Sequence, residues 1–375
     1  MDGPWSDFDI ACMRRSLELA ELGRGQVSPN PPVGCVLARD GVIKAEGWHD
    51  HLGDLHAEQA AIADAEQKSV ATEGCIAYVT LEPCNHFGRT PPCTQALLWA
   101  GIDSVIIAAK DPNPNVRGHG IRVLEEAGIE VRYGMLELEA ETQMQAFMRW
   151  CHHRRPIVTL KMAVDAKNRV DTDSGPSTRF TTEKSLNFAH ALRRQTDAIL
   201  VGSGTVIRDN PSLTIRHVPL DGVDQPLRIV LDRRGRISSD AKVWNQEAPS
   251  LHIHGLENIE ENMDVESIAI ADLNEEKGLH DLLDLLGDRG IQELLIEGGP
   301  KIWTSFLEAG LVDRLIHIRS REEIGNGPRM VLDEAYLDSN NLLLYSESED
   351  TGDWIQIYTK SSFKPPNSTW PYPSG

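Results

Sequence analysis

Aromatic residues make up only 6% of the 375-residue sequence, and no apolar run approaches the roughly 20 residues that a membrane helix needs. A helical membrane span is excluded on that count. Positive charge is also scarce: 37 Lys and Arg stand against 57 Asp and Glu, for a formal net charge of -20. Such a field repels phosphate polymers, and the one tight basic cluster, His152-His153-Arg154-Arg155, is short, so no nucleic-acid partner is expected. A small phosphorylated ligand could still meet locally placed arginines. Six cysteines scattered over this length make no secreted disulfide framework, which points to a reducing compartment with thiols free for metal. The N-terminus, MDGPWSDFDI, is acidic and lacks the basic-then-apolar pattern of a secretory signal. A cytoplasmic location is expected.

What is present is a globular composition, 40% hydrophobic and 25% charged, on a chain long enough for two domains. Ser6-Asp7-Phe8-Asp9 has the pattern of a capping box, and Ile10, Met13, Leu17 and Ala20 follow at helical spacing. Asp40-Gly41 between two apolar runs predicts a hairpin. Helices are expected over His56 to Lys68, Cys93 to Ala100, Arg117 to Ala127 and Leu136 to Trp150, and strands over Cys75 to Thr80, Ser104 to Ala109 and Ile129 to Tyr133. This alternation predicts a three-layer α/β sandwich. Arg154-Arg155-Pro156 ends the last helix, so the boundary is placed near 150 to 156. Strands then recur near Ile157 to Met162, Ala198 to Val201, Leu227 to Leu231 and Leu294 to Ile296. The expected organisation is residues 1–150, residues 151–365, and a flexible tail over 366–375, rich in Pro and Ser.

His56-Ala57-Glu58 opens one helix, Pro83-Cys84 follows a strand, and Cys93 opens another helix. One imidazole and two thiolates form a three-ligand zinc set whose fourth position stays open for water, as in metal-assisted hydrolysis. Residues two apart do not share a helix face, so His56 is placed at the helix entry with Glu58 aimed at the open position, as the group that takes and returns a proton. His-x-Glu alone is common, and the bland reading is a surface histidine, a helix-opening acid and two packed thiols. The Pro-Cys unit and the second helix-opening cysteine, in that order, weigh against it. Cys12, Cys35, Cys75 and Cys151 lack such a context and are expected to be packing residues. Eight residues separate Cys84 from Cys93, and this insert, with His86 and Arg89, has the character of a substrate-recognition loop.

With these features the chain resembles, over nearly its whole length, the bifunctional deaminase-reductase family of riboflavin biosynthesis. The segments that carry the resemblance are Ser28-Pro-Asn-Pro-Pro-Val-Gly34, His56-Ala-Glu58, Thr80-Leu-Glu-Pro-Cys-Asn-His-Phe-Gly-Arg-Thr-Pro-Pro-Cys93, Asp111-Pro-Asn-Pro114, Ile199-Leu-Val-Gly-Ser-Gly-Thr205 and Asp209-Asn-Pro-Ser-Leu213. The resemblance implies a cytidine-deaminase-like first domain with zinc at His56, Cys84 and Cys93, and Glu58 as proton shuttle. It implies contacts from Asn30, His49, His86, Arg89, Asp111 and Asn113 to a phosphoribosylated diaminopyrimidine. An Asn reads a pyrimidine edge with donor and acceptor together, and Arg89 can grip a phosphate bidentately. The second half looks like a dihydrofolate-reductase-like α/β domain for NADPH, touched by Ala163, Thr205, Asp209 and Gly299. Ser177, Arg193, Leu213, Arg216 and Glu297 would surround the substrate whose ribose is reduced. Gly202-Ser203-Gly204-Thr205 and Glu297-Gly298-Gly299-Pro300 can present backbone N–H groups to cofactor phosphates. Dimers or tetramers are the family's implication for assembly.

Three stretches depart from the family pattern. Asp165-Ala-Lys-Asn168 stands where Ser-Leu-Asp-Gly is usual, Arg179 stands where a Trp is, and Ile318-Arg-Ser-Arg-Glu-Glu323 replaces an apolar strand. They leave open a monofunctional deaminase with a decayed reductase domain. A non-catalytic scaffold holding structural zinc is a second alternative, but it would need a fourth protein ligand.

Overall fold

The computed structural model describes residues 5–86, 91–113, 116–173, 179–256, 265–273, 275–367 and 369–372. The chain forms two compact units, one of residues 1–153 with 365–375 and one of residues 154–364. Pro365 and Pro366 are buried and belong to the first unit, where a loose tail was expected from composition. Proline brings apolar surface and no N–H that burial would leave unpaired, so these residues can be buried at little cost.

In the first unit the strands are β1 (Gly34–Arg39), β2 (Val42–Trp48), β3 (Ile76–Leu81), β4 (Ser104–Ala109) and β5 (Glu130–Tyr133), in the order β2-β1-β3-β4-β5. The helices are α1 (Asp7–Leu22), α2 (Ala57–Gln67), α3 (Cys93–Trp99), α4 (His119–Glu126), α5 (Glu137–Gln143) and α6 (Gln145–His153). The single helix expected over Leu136 to Trp150 is two helices, because Met144 leaves helical geometry at φ -102°, ψ 20°. Ser6 caps α1 by accepting from the Asp9 N–H, and Asp9 accepts from the Ser6 N–H in return. β1 runs antiparallel to β2 and β3, whereas β3, β4 and β5 are parallel, so β3 and β4 end on the same edge. One face packs Leu37, Val79, Ile107, Ala61, Leu97 and Leu124 with α2, α3 and α4. The other packs Val36, Tyr78 and Ile106 against Met13, Leu19 and Met144.

The second unit holds a nine-stranded sheet among the described residues. Its elements in chain order are β6 (Ile157–Val164), α7 (Glu183–Arg194), β7 (Ala198–Gly202), α8 (Ser203–Asp209), β8 (Leu227–Leu231), β9 (Ser250–His254) and β10 (Glu266–Ala269). They continue with α9 (Glu276–Asp288), β11 (Glu293–Ile296), α10 (Pro300–Glu308), β12 (Arg314–Arg319), α11 (Glu334–Ser339), β13 (Leu343–Ser348) and β14 (Trp354–Thr359). The spatial order is β10-β9-β8-β7-β11-β6-β12-β14-β13, parallel from β10 to β12 and antiparallel beyond. Leu160, Met162, Leu294, Leu282, Trp303 and Phe306 form the core under α9 and α10. Of the stretch 318–323 read as replacing an apolar strand, Ile318 and Arg319 belong to β12, whose Leu315, Ile316 and Ile318 are buried, and residues 320–323 follow it outside the strand.

The close seat of α2 on β2 depends on Gly47. A Cβ there would lie 2.2 Å from the Ala61 nitrogen and 2.7 Å from the Ala57 oxygen, inside the backbone of the helix that carries Glu58. Gly47→Ala must push α2 outward, an overpacking cost of about 1–3 kcal/mol. The expected result is a lower urea midpoint for the first unit, read by far-ultraviolet circular dichroism; an unchanged midpoint would show that α2 is not held by this contact.

Candidate functional site

His56 sits at the N-cap of α2 in extended geometry, φ -69° and ψ 161°, which frees its side chain from the helix direction. Cys84 follows β3 by three residues and Cys93 opens α3. The His56 Nδ1 lies 3.5 Å from the Cys84 Sγ and 3.3 Å from the Cys93 Sγ, and the Cys93 N–H points at the Cys84 Sγ at 3.4 Å. All three ligand atoms lie within 4.8 Å of one another. Bond lengths of about 2.0–2.3 Å on a tetrahedral zinc put neighbouring N and S ligands roughly 3.5 Å apart, so this donor set fits the ion in spacing as well as in chemistry. The sulfur-to-sulfur hydrogen bond is the largest influence on both thiols, holding Cys84 below its ordinary range and pushing Cys93 up. One negative charge is thus already favoured between them.

Glu58, on the first turn of α2, is buried. Burial, with the Cys84 charge adding to it, lifts its carboxyl to about 7, where it can gain or lose a proton near neutrality. A cavity of about 480 Å³ brings Asn30, His49, His56, Glu58, Cys84, His86, Cys93, Asp111 and Asn113 together. Arg89 lies outside the described residues. His49 is buried, and burial lowers its pKa, which keeps the ring neutral. Its Nδ1 is 3.0 Å from the Leu55 carbonyl oxygen, which can only accept, so the proton resides there. The Nε2 then accepts from the Asn30 Nδ2 at 3.1 Å and fixes which way that amide faces. Asp111 accepts from the Asn113 N–H at 2.8 Å, and burial raises its carboxyl.

Three of the wall residues that the sequence reading did not single out matter most for the shape of the site. Phe147 and Trp150 reach the cavity from α6, a helix read only as a connection, and no local pattern marks them. Glu82, one residue past β3, is buried and accepts from four backbone N–H groups: Asp111 at 3.3 Å, Gly118 at 2.9 Å, Gly120 at 3.1 Å and Ile121 at 3.4 Å. It joins the turn before Cys84 to the segment carrying Asp111 and Asn113. The approach is close: a Cβ on Gly120 would lie 2.0 Å from the Pro83 oxygen.

In the second unit, Glu297 at the end of β11 receives a two-pronged contact from Arg193, Nε to Oε1 at 2.6 Å and Nη2 to Oε2 at 3.0 Å. Lys161 on β6 adds a third contact at 3.2 Å. Burial alone would raise the Glu297 carboxyl, but Arg193 and Lys161 outweigh it and hold the group well below its ordinary range. Lys161 is a further residue that the sequence reading did not single out. The Arg193 Nη1 also donates to the Thr214 carbonyl at 3.0 Å, next to buried Leu213. The Arg216 N–H donates to the His190 Nδ1 at 3.1 Å, and burial drives His190 down to about 3. A separate cavity of about 720 Å³ is lined by Thr205, Asp209 and Gly299 among others. Ala163 is not in its wall; it is half-buried on β6, two residues past Lys161 and so on the same face. Ser177 lies outside the described residues.

That cavity fits a dinucleotide. A Cβ placed on Gly204 or Gly299 would project into open space, and both residues line the wall, so ligand and backbone can approach closely there. Gly298 has φ +141°, a conformation that only glycine takes readily. The three departures do not disturb this arrangement. Asn168 takes φ +60°, the left-handed geometry that a glycine would supply, and Asp165 closes the same turn by accepting from the Lys167 and Arg169 N–H groups, each at 2.8 Å. β12 is intact, and Arg179 is exposed and outside the cavity wall.

A zinc-ligating pocket on a mixed sheet, joined in one chain to a reductase-type parallel sheet, defines a bifunctional deaminase and reductase. Residues 6–109 match the cytidine and deoxycytidylate deaminase zinc-binding region, and residues 156–353 match the RibD C-terminal domain. The riboflavin biosynthesis protein RibD of Aquifex aeolicus is 40% identical over 325 residues, covering 86% of this chain and 89% of that one. Its Escherichia coli counterpart is 37% identical over 330 residues, covering 84% and 89%. A crystal structure of a diaminohydroxyphosphoribosylaminopyrimidine deaminase/5-amino-6-(5-phosphoribosylamino)uracil reductase from Thermotoga maritima superposes with a TM-score of 0.83 at 34% identity, covering 94% of this chain and 99% of that one. Acinetobacter baumannii RibD gives 0.83 at 32%, with the same coverage. The chain belongs to the RibD family of riboflavin biosynthesis proteins.

Glu82→Gln tests the fastening of the 111–121 segment, because an amide nitrogen would face donors that need an acceptor. With about 1–3 kcal/mol lost at a buried unpaired donor, amide exchange at Gly118 and Gly120 should accelerate by roughly tenfold or more while zinc content stays the same. Unaltered exchange would remove Glu82 from this role.

Proposed function

We propose that the first unit deaminates 2,5-diamino-6-(5-phosphoribosylamino)pyrimidin-4-one and that the second reduces the ribosyl group of the product to a ribitylamino group with NADPH. The observation that carries the first half is the His56, Cys84 and Cys93 cluster with buried Glu58 in the same cavity wall. Zinc on the three ligands supplies Lewis acidity toward water, and NADPH in the second unit supplies the reducing electrons.

Deamination exchanges an amino group for an oxygen, so one proton must leave the attacking water and another must reach the departing ammonia. Glu58 performs both transfers at its carboxyl, for which a value near 7 is suited. Asn30, oriented by His49, reads the pyrimidine edge together with Asp111 and Asn113, while His86, with Arg89 as the family resemblance implies, is assigned to the phosphoribosyl part. Phe147 and Trp150 exclude water on the α6 side. In the second unit Arg193, Arg216, Ser177, Leu213 and Glu297 hold the ribosyl phosphate substrate, and Ala163, Thr205, Asp209 and Gly299 face the cofactor. Glu297 stays ionised between Lys161 and Arg193, so it keeps both cations in fixed positions for an anionic, hydroxyl-rich ligand.

The decayed-reductase alternative is not favoured, since the turn at 165–168 is built and β12 takes in Ile318 and Arg319. Among the described residues the zinc cluster has three ligands and no fourth, which favours chemistry over a structural ion. No helix of the described chain is long and apolar enough to cross a membrane. A cytoplasmic location is part of the proposal, in keeping with six free cysteines. Assembly into dimers or tetramers is proposed as well. Leu343, Leu344 and Tyr345 are exposed on the edge strand β13, and sedimentation velocity decides the state.

The decisive experiment supplies the zinc-loaded protein with the diaminopyrimidine, following ammonia first and then nicotinamide absorbance after NADPH is added. Glu58→Gln should retain zinc and lose ammonia release by about 10²- to 10⁴-fold, while the second unit still oxidises NADPH when given the deaminated product. Ammonia release at the parental rate would remove Glu58 from the mechanism.

A further inference from the structure

We propose that Arg24, clamped by Glu21, is a positioning residue of the deamination site. It fixes the spacing between the wall that carries Asn30 and His49 and the wall that carries Phe147 and Trp150, and so sets how tightly the pyrimidine is held. The inference rests on reading the cavity of about 480 Å³ as that site. Glu21, Arg24 and Gln143 are not in the cavity wall, so they act on a ligand only through the backbone they hold.

The first wall hangs from the C-terminal end of α1. Beyond Leu22 the chain turns through residues 23–30, and a Cβ on Gly23 would lie 2.1 Å from the His49 oxygen, so the turn is pressed against the His49 backbone. The Gln26 oxygen accepts from the Leu52 N–H at 3.1 Å, and the Asn30 N–H donates to the oxygen of buried Val27 at 2.8 Å. Asn30 and His49 are therefore carried together by the end of α1. The second wall hangs from the break between α5 and α6, where Met144 leaves helical geometry and α6 takes Phe147 and Trp150 into the cavity. A helix end leaves its last carbonyls without intrahelical donors, so a donor from elsewhere can decide where the break lies.

Arg24 is such a donor. Its Nη2 donates to the Gln143 carbonyl oxygen at 2.6 Å and to the Glu21 Oε1 at 2.8 Å, while its Nε donates to the Glu21 Oε2 at 2.8 Å. The Gln143 Nε2 donates in turn to the Glu21 Oε1 at 2.6 Å and to the Leu17 oxygen at 2.8 Å. One guanidinium thus joins the end of α1 to the end of α5, and its planar fork fixes direction as well as distance. The Glu21 and Arg24 side chains are only 5% and 10% exposed, so water competes little for them. Burial alone would raise the Glu21 carboxyl, but Arg24, Gln143 and Asn367 of the C-terminal segment outweigh it and hold the group below its ordinary range. A carboxylate in the last turn of a helix opposes the helix dipole, and no basic residue of α1 offsets it there. Glu21 is accounted for by what it clamps, not by the stability of α1.

The test follows ammonia release by the zinc-loaded, full-length protein against diaminopyrimidine concentration, with zinc content and NADPH oxidation on the deaminated product as controls. Arg24→Lys keeps the charge and loses the fork. Its KM should rise by about tenfold, the worth of one charge-assisted hydrogen bond, with kcat within about twofold of the parent and zinc unchanged. Glu21→Leu/Arg24→Leu removes both charges together, leaves no buried ion unpaired and should show the same rise. In a double-mutant cycle of Arg24→Lys with Trp150→Phe, the combined effect on KM should fall short of the product of the two, because both act on one wall. A KM within about twofold of the parent in both variants, or effects that multiply in full, overturns the positioning role while leaving the deaminase assigned. Loss of zinc or of kcat in both variants overturns it as well, since the clamp would then serve folding alone. A parent protein that releases no ammonia overturns the deaminase reading and the proposal together.

Discussion

Four backbone N–H groups converge on the Glu82 carboxylate, and the geometry of the first cavity depends on that convergence. Two parallel strands, β3 and β4, end side by side, and the loops leaving them carry Cys84 and Asp111. Loops of this kind leave amides that water would otherwise satisfy, and a mobile loop could not hold a ligand and a substrate group at fixed separation. One buried acceptor satisfies the amides and fixes the separation at once. His56 and Glu58 approach from α2, whose seat is set by the absence of a side chain at Gly47.

The second unit solves a comparable problem with charges of both signs. Glu297 is buried, and an unpaired carboxylate there would be costly, so Arg193 and Lys161 are drawn to it. Around the adjoining cavity the balance differs, for some cations have carboxylate partners among the described residues and others do not. A buried triad of one carboxylate and two cations makes a rigid platform with one positive charge to spare. The same sheet edge carries triad and cavity, displaced by a few strand spacings.

How far the sequence discloses this depends on whether a feature is local. The cluster of His56, Cys84 and Cys93 is legible because imidazole and thiolate at helix entries are rare combinations, and the entry position of His56 follows from helix periodicity alone. Glu82 lies within a segment that drew attention for its cysteines, yet its partners are amides some 30 to 40 residues away. The break at Met144 is invisible to periodicity because both halves share an apolar face. Asn168 was read as a departure, although the tolerance of asparagine for left-handed geometry is a property of the residue itself. Lys161 was seen as part of a strand, and only the folded sheet shows that Glu297 lies beside it.

Residues 365–375 belong to the first unit, so the second unit is an insertion within the sequence of the first. A ribosome making this protein completes residues 154–364 before it supplies Pro365 and Pro366. The surface that those prolines cover is therefore bare for the whole time the second unit is being synthesised. The first unit therefore cannot close until the chain has been made through Pro366, although its first residues are the first to emerge.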